Sequence, residues 1–209
     1  QNVALAFYRE WETAKMTDFS DHIPFAEKAC DFLTASPDPY HAVANMIAKL
    51  DAAGYCRLKI REPFAGKVGP GGKYYYTINR TTLVAFAVGK KYKPGNGFKI
   101  IGGHTDSPNL KVKPRSKRAG SGCVQLNVEC YGGGMWHTWF DRDLGVSGRV
   151  FVRKAGDDGA EKIEQRLVKI DKPVARISTL CIHLQTAEER KAFRVNKEEH
   201  LSPILSTQN

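Results

Sequence analysis

The stretch GGHTDSP at residues 102–108 places His104 and Asp106 two positions apart. In extended backbone, side chains at that spacing point to the same side. A neutral imidazole can bind a metal ion, and a neighbouring carboxylate can orient the ring and raise its basicity. The alternative is a hydrogen-bonded structural histidine followed by an Asx-type turn. The His-x-Asp spacing alone does not decide between the two.

The elements around this stretch must hold polar groups close to a core. The apolar run FKII at residues 98–101 predicts a buried strand that ends just before His104. Burying an unpaired polar group costs roughly 2–7 kcal/mol, so the strand end needs partners for its imidazole and carboxylate.

Two helices are predicted before the strands. Residues 19–36 show helical spacing, with Ile23 and Leu33 on one face. Residues 36–55 carry the marks of a second helix, with Ser36 as its cap, Pro37 at its first position and Gly54 after its end. The predicted buried stripe of this second helix consists of Val43, Ile47 and Leu50.

The strand pattern changes along the chain. Residues 74–89 predict a hairpin with its turn near Asn79 and Arg80, and the LVAFAV run within it is typical of a central strand. Helices followed by fully apolar strands indicate an α/β fold. After a boundary near 108–110, short alternating segments predict a β-rich domain that extends to residue 209.

Charge and composition restrict the classes of function. The net charge is +10, and residues 111–118 (KVKPRSKR) hold five positive charges and no negative one. Such a run can contact phosphates, although a solvated strand edge or a subunit contact is the more common explanation. No apolar run reaches the roughly 18 residues that span a bilayer. Five widely spaced cysteines, with no signal-peptide pattern in residues 1–15, lead us to expect reduced thiols and a cytoplasmic location.

Two further stretches contain residues that could do chemistry. Residues 131–145 (YGGGMWHTWFDRDLG) combine three successive glycines with aromatic and acidic side chains, which suits the wall of an active site or a tightly packed turn. Within it, His137 could be a metal ligand, but we expect an ordinary interfacial histidine. Glu198, Glu199 and His200 resemble metal-site residues, but adjacent side chains point in different directions, so we expect them at the surface.

Taken together, these stretches resemble the aspartyl aminopeptidases, a family of dinuclear zinc exopeptidases. The pairing of HTDSP with YGGG-W-TWFDRDL is specific, and the resemblance runs in order from about residue 19 to the end. The matching segments are residues 32–43, 78–89, 94–116, 128–150 and 200–205.

The resemblance implies a role for each candidate residue. His104 would be a zinc ligand, and Asp106 would be the catalytic aspartate that supports it. Two zinc ions per complete site would polarise the scissile carbonyl and activate water, on peptides with N-terminal Asp or Glu. His183, which the residues alone suggest is a structural histidine in an apolar strand, would reach a neighbouring subunit's active site, bind substrate there and stabilise the tetrahedral intermediate.

The resemblance also implies the domain order. Residues 1–18 would be an N-terminal extension, residues 19–108 the first part of an α/β zinc-exopeptidase catalytic domain, and residues 109–209 a β-rich dimerisation domain that makes a homo-oligomer. The remaining metal ligands and the general-base glutamate of the family lie beyond residue 209, so Glu198 and Glu199 are not that catalytic pair.

Two alternatives follow from the residues. A truncated, non-catalytic assembly or regulatory subunit would explain why only one metal ligand is identifiable. A basic nucleic-acid-binding module built on residues 111–118 is the less favoured alternative, because that run lies within the family resemblance.

Overall fold

A computed structural model describes residues 19–155 and 161–208. The described residues fall into two compact units, one that ends at Ala35 and one that begins at Ser36. The predicted extension at residues 1–18 lies outside the described residues. The domain boundary near 108–110 stays a prediction.

Among its described residues, the first unit contains one α-helix, α1, at Ile23–Ala35, which follows a short 3-10 turn at Ser20–His22. The helix predicted from spacing is therefore present. The two side chains of the predicted apolar face are exposed within this chain, with Ile23 at 53% and Leu33 at 70% of their full accessible surface.

The second unit opens with helix α2 at Pro39–Ala52. The predicted cap at Ser36 and first position at Pro37 are wrong by two residues, because the Asp38 carboxylate accepts the N–H groups of Tyr40 and His41. Gly54 follows the helix with a φ of 76°, as predicted for a residue after a helix end. Of the predicted stripe, Val43 is fully buried, whereas Ile47 and Leu50 are partly buried.

A small sheet follows, with strand order β1-β2-β3. Asn79 and Arg80 take left-handed φ angles of 52° and 59° in the turn between β2 and β3, so the predicted hairpin is confirmed. The LVAFAV run, predicted as a central strand, lies at the edge of this sheet in the described part of the chain. The strands are β1 (Cys56–Arg57), β2 (Lys73–Ile78) and β3 (Thr82–Ala87).

The FKII run is not a strand in this chain, which contradicts the prediction. Residues 98–108 form no ladder, and Phe98, Ile100 and Ile101 are 79%, 86% and 99% exposed. A buried strand needs neighbours on its edges and faces, and no strand of the described residues pairs with this segment. Its apolar character is real, but nothing in the described part of this chain covers it.

The β-rich part forms an antiparallel five-stranded sheet with the order β4-β5-β8-β7-β6, as its alternating segments predicted. The basic run lies in β4, at one edge of this sheet. The strands are β4 (Asn109–Gly120), β5 (Cys123–Tyr131), β6 (Asp143–Ala155), β7 (Glu161–Arg176) and β8 (Ile204–Thr207).

A core cluster joins the loops beside this sheet. Trp136, Ile177 and Leu201 are each at most 6% exposed and pack together. The aromatic residues of the 131–145 stretch are therefore largely structural: Trp136 is in this core, and Trp139 and Phe140 pack against it. No helix in the described ranges is long and apolar enough to cross a membrane.

Candidate functional site

His104 and Asp106 lie together, although the segment that carries them is not a strand. The Nδ1 atom of His104 is 3.3 Å from Oδ1 of Asp106. The His104 side chain is 79% exposed, whereas that of Asp106 is only 12% exposed. One edge of the imidazole therefore faces the carboxylate, and the other nitrogen is open to a ligand.

Tyr131 completes this group. Its hydroxyl donates a hydrogen bond of 2.7 Å to Oδ2 of Asp106. That hydrogen bond, and the charge of the same carboxylate, raise the pKa of the Tyr131 phenol, so the hydroxyl stays protonated as a donor. The ammonium of Lys111 lies 3.4 Å from the centre of the Tyr131 ring.

These side chains line a cavity of about 480 Å³. Its walls come from the start of α2, the β2–β3 turn, the 103–106 segment and the first residues of the β-rich part. Apart from Asp106, its charged or titratable side chains are His104, Lys111 and the tyrosines. The lining residues are Pro39, Tyr40, Asn79, Thr81, Thr82, Gly103, His104, Thr105, Asp106, Lys111 and Tyr131.

Arg149 of β6 ties two of these walls to the five-stranded sheet. Its guanidinium stacks 4.4 Å from the centre of the Tyr40 ring and donates 3.1 Å to the Oδ1 atom of Asn79. Asp38 anchors the same wall. Burial alone would raise the pKa of its carboxyl, but hydrogen bonds from Ser147 and His41 outweigh burial and lower that pKa. The cavity is thus held between elements that are distant in sequence.

A larger cavity, of about 650 Å³, lies between the start of α2 and the five-stranded sheet. Asn109, Val128 and Trp139 are among its lining residues. Neither His104 nor His183 borders it, so we place the candidate site in the smaller cavity.

His183 does not join this group. It was predicted in an apolar strand, but β7 ends at Arg176, and His183 lies in a 3-10 turn at Ile182–Leu184. The Arg190 side chain binds the backbone of this turn. Its guanidinium donates hydrogen bonds to the carbonyl oxygens of Ile182 and Gln185 at 3.1 and 3.0 Å. Those bonds favour a tight turn over an extended strand.

The His183 side chain is exposed, and within the described residues no hydrogen bond or ion pair joins it to His104 or Asp106. Its neighbours Leu180, Ile182 and Leu184 are 49%, 60% and 70% exposed. An exposed histidine between exposed apolar side chains is suited to contact another molecule.

Asp141 fixes the other end of the His183 segment. Its carboxylate accepts hydrogen bonds from both the hydroxyl and the backbone N–H of Thr179, and these bonds lower the pKa of Asp141. Asp141 itself has a φ of 56°, which aspartate tolerates better than most residues. The aspartate of the WFDRDL stretch therefore holds the chain that leads to His183.

Known proteins share this arrangement of elements. The model of the family described as aminopeptidase I zinc metalloprotease (M18) matches residues 32–209. The aspartyl aminopeptidase of Aspergillus oryzae is 52% identical over 181 residues, which are 85% of this chain and 35% of that protein.

The chain belongs to the M18 family.

Solved M18 structures agree with this fold. The structure of Chaetomium thermophilum mApe1 is 40% identical and superposes with a TM-score of 0.79 over 88% of this chain and 40% of the other. The S. cerevisiae mApe1 dodecamer is 31% identical, with a TM-score of 0.69 over 85% of this chain and 42% of the other. The predicted α/β fold class and family are thus confirmed. The chain spans about a third of the length of the Aspergillus oryzae relative.

Zinc is the metal of the M18 family, and the surroundings of the His104 imidazole suit a metal ligand. The imidazole is open on one edge and backed by a carboxylate on the other, as in carboxylate–histidine–zinc arrangements. Within residues 19–155 and 161–208, no three His, Cys, Asp or Glu side chains lie close enough to hold a metal ion together.

The other candidate residues have structural surroundings. His137 is exposed on a 3-10 turn at Trp136–Trp139. Glu198 forms an ion pair of 3.0 Å with Lys113, and Glu199 accepts from the side chain of Asn196. His200 stacks on Phe193 with ring centres 5.4 Å apart.

Sequence reasoning missed Tyr131, Asp141 and Arg190 as functional neighbours. The structure brings Tyr131 to Asp106 and Asp141 to Thr179 across separations of 25 and 38 residues. The unusual YGGG and WFDRDL stretches were the available signal for the first two. Arg190 carried no such signal.

Proposed function

We propose that this chain is the N-terminal part of a zinc aminopeptidase that removes Asp or Glu from the N-terminus of peptides. The observation that carries the proposal is the His104–Asp106 pair, backed by Tyr131 at the edge of a cavity. The M18 family is a family of zinc metalloproteases, and the Aspergillus oryzae relative is named an aspartyl aminopeptidase.

Each residue has a defined part in this proposal. His104 supplies one zinc ligand, and Asp106 holds the imidazole so that its free nitrogen stays available. A complete site holds two zinc ions, which supply Lewis-acid chemistry to a peptide carbonyl when bound. Lys111 is the ammonium group within the cavity and adds positive charge where an acidic substrate would enter.

His183 acts in a second subunit. Its exposed position among Leu180, Ile182 and Leu184 supports a role across an interface rather than within this chain. There its imidazole would bind substrate and donate to the oxygen that becomes negative during hydrolysis. The β-rich residues 109–209 would form the dimerisation domain, and the dodecamer formed by the S. cerevisiae relative supports assembly into a homo-oligomer.

The test uses a fusion of this chain to the part of the Aspergillus oryzae relative that follows the matched region, called here the extended enzyme. We expect it to release Asp from a short peptide with N-terminal Asp. His104→Ala should abolish that activity and lower the zinc content, whereas His137→Ala, which removes an exposed histidine outside the cavity, should leave both unchanged. Full activity and zinc content in His104→Ala would refute the proposal.

A non-catalytic assembly or regulatory subunit is the second candidate. It is favoured by one observation, the lack of any three-ligand cluster in the described ranges. The discriminating measurement is Asp release by the 209-residue chain alone with zinc present. Activity that disappears in His104→Ala would eliminate this candidate, and inactivity of a folded chain would support it.

Nucleic-acid binding is not favoured by the geometry of the basic strand. Lys113 is paired with Glu198, and Arg118 donates to the Ser202 hydroxyl at 2.9 Å. Lys111 lies on the Tyr131 ring. At least three of the five cations therefore have partners within the chain. Binding of a DNA or RNA oligonucleotide that weakens steeply with salt would be needed to revive this hypothesis.

A further inference from the structure

Both oxygens of the Asp106 carboxylate lie close to polar groups of this chain. The Tyr131 hydroxyl donates to Oδ2 at 2.7 Å, and Oδ1 lies 3.3 Å from Nδ1 of His104. With its side chain only 12% exposed, Asp106 has little water to orient it. The Tyr131 hydrogen bond therefore decides which way the other carboxylate oxygen, Oδ1, points.

The sheet register places Tyr131 at this position. Tyr131 is the last residue of β5, and it pairs with Asn109, the first residue of β4, three residues after Asp106. The chain then turns at Gly132, whose φ of 76° suits glycine. The strand pair thus brings the phenol to the loop that carries His104.

Lys111 holds the face of the same ring. It lies on β4 two residues beyond Asn109, and its ammonium is 3.4 Å from the ring centre. Diagonal cross-strand neighbours of this kind can interact through long side chains. The ring is therefore fixed by a cation on its face and by a carboxylate at its hydroxyl.

We propose that Tyr131 is a positioning residue that orients Asp106 and, through Asp106, sets the tautomer of His104. With the carboxylate oriented, the proton of the neutral imidazole resides on Nδ1, and the Nε2 lone pair is free for a metal. The value of this arrangement for catalysis rests on the proposed function, whereas the tautomer itself does not.

The test is the tautomer of His104 in the metal-free 209-residue chain, measured by two-bond ¹H–¹⁵N correlation spectra at a pH where imidazole is neutral. His104→Gln identifies the His104 signal among the six histidines. We expect the Nδ1–H pattern in the wild-type chain. Tyr131→Phe should lose that pattern in favour of the Nε2–H form, since the ring stays under Lys111 while the hydroxyl is removed.

Tyr76→Phe is the matched control, because Tyr76 packs its ring on Phe64 outside the cavity, and it should leave the His104 signal unchanged. Asp106→Ala is the second variant: in that background Tyr131→Phe should have no further effect, since Tyr131 acts through the carboxylate. An unchanged tautomer in folded Tyr131→Phe would overturn the inference, as would an equal shift in both backgrounds. Because no readout is enzymatic, an inactive extended enzyme would count against the proposed function alone.

Discussion

The segments that carry His104 and His183 are held in opposite ways. At His104, side chains hold a side chain: the Asp106 carboxylate lies 3.3 Å from the ring, and Tyr131 fixes that carboxylate. At His183, the anchors hold the segment and not the imidazole: Arg190 donates to two carbonyl oxygens, and Asp141 accepts from the backbone N–H and the hydroxyl of Thr179. The first histidine is oriented within its own chain, whereas the second is presented outward. This difference fits the proposed roles, in which His104 serves its own site and His183 a neighbour's.

The strongest test of this comparison is subunit mixing. In the extended enzyme, His104→Ala and His183→Ala should each be inactive or nearly so, with a loss of about 10²–10³-fold for His183→Ala if it stabilises an oxyanion. If His183 acts across a dimer, mixed dimers hold one intact site. A co-refolded equal mixture should then regain roughly a quarter of the wild-type activity.

Co-refolding two batches of His183→Ala is the control and should recover nothing. If the mixture also recovers nothing although its subunits exchange, both histidines belong to one chain's site and the comparison fails.

The second prediction compares a buried residue of the core, Leu201, with an exposed residue before His104, Ile101. Leu201 is 1% exposed in the core with Trp136 and Ile177, so Leu201→Ala should lower the free energy of unfolding by about 2–5 kcal/mol. Ile101, in the segment before His104, is 99% exposed, and Ile101→Ala should change it by no more than about 0.5 kcal/mol. Urea unfolding of the 209-residue chain measures both values. Equal costs would mean that Ile101 is covered in solution.

Local patterns predicted the elements whose strands pair with other strands of this chain. The β2–β3 hairpin was found because Asn79 and Arg80 form its turn between adjacent strands. The β-rich half was found because its strands alternate and pair with one another. The prediction of a strand at FKII was wrong because an apolar run indicates only that something should cover it. No partner that covers it is among the described residues of this chain.

The site was predictable only where its residues are near in sequence. His104 and Asp106 were found from their spacing and from the family resemblance. Tyr131 was not, because its contact with Asp106 depends on the pairing of Asn109 with Tyr131 across two strands. The apolar residues around His183 suggested a strand, but the Arg190 guanidinium holds two carbonyl oxygens there in a turn, which no local pattern revealed.

A third prediction tests the backbone anchor of His183. Arg190→Ala removes the hydrogen bonds to the carbonyl oxygens of Ile182 and Gln185, so the turn should loosen. In the extended enzyme we expect kcat to fall by about tenfold, since small misplacements of a catalytic group can cost up to about 10²-fold. Arg190→Lys should rescue little, because lysine lacks the fork that reaches two carbonyls.

Arg194→Ala, a change of another exposed arginine outside this turn, is the control and should retain activity. If Arg190→Ala left both kcat and KM intact in a folded enzyme, Arg190 would not be needed to place His183.

The smallest expected effect tests an anchor on the His104 side, where Asp38 caps the helix that carries Tyr40 into the cavity wall. Asp38→Ala should lower the free energy of unfolding by about 1 kcal/mol at neutral pH. Hydrogen bonds from Ser147 and His41 outweigh burial and hold the pKa of Asp38 below its ordinary value. Its contribution is therefore complete above the unfolded-state pKa and is lost as the pH falls through the lower folded-state pKa.

Urea unfolding at neutral and acid pH should show that the difference in free energy of unfolding between wild type and Asp38→Ala becomes smaller in acid. Asp38→Asn is the matched control, because asparagine is a good helix cap but cannot ionise. The difference in free energy of unfolding between Asp38→Asn and Asp38→Ala should therefore be nearly independent of pH. A wild-type gap that stays constant down to acid pH would show that the cap alone, and not the charge near Ser147 and His41, stabilises this wall. The contrast between the two histidine segments would then rest on Asp106 and Tyr131 alone.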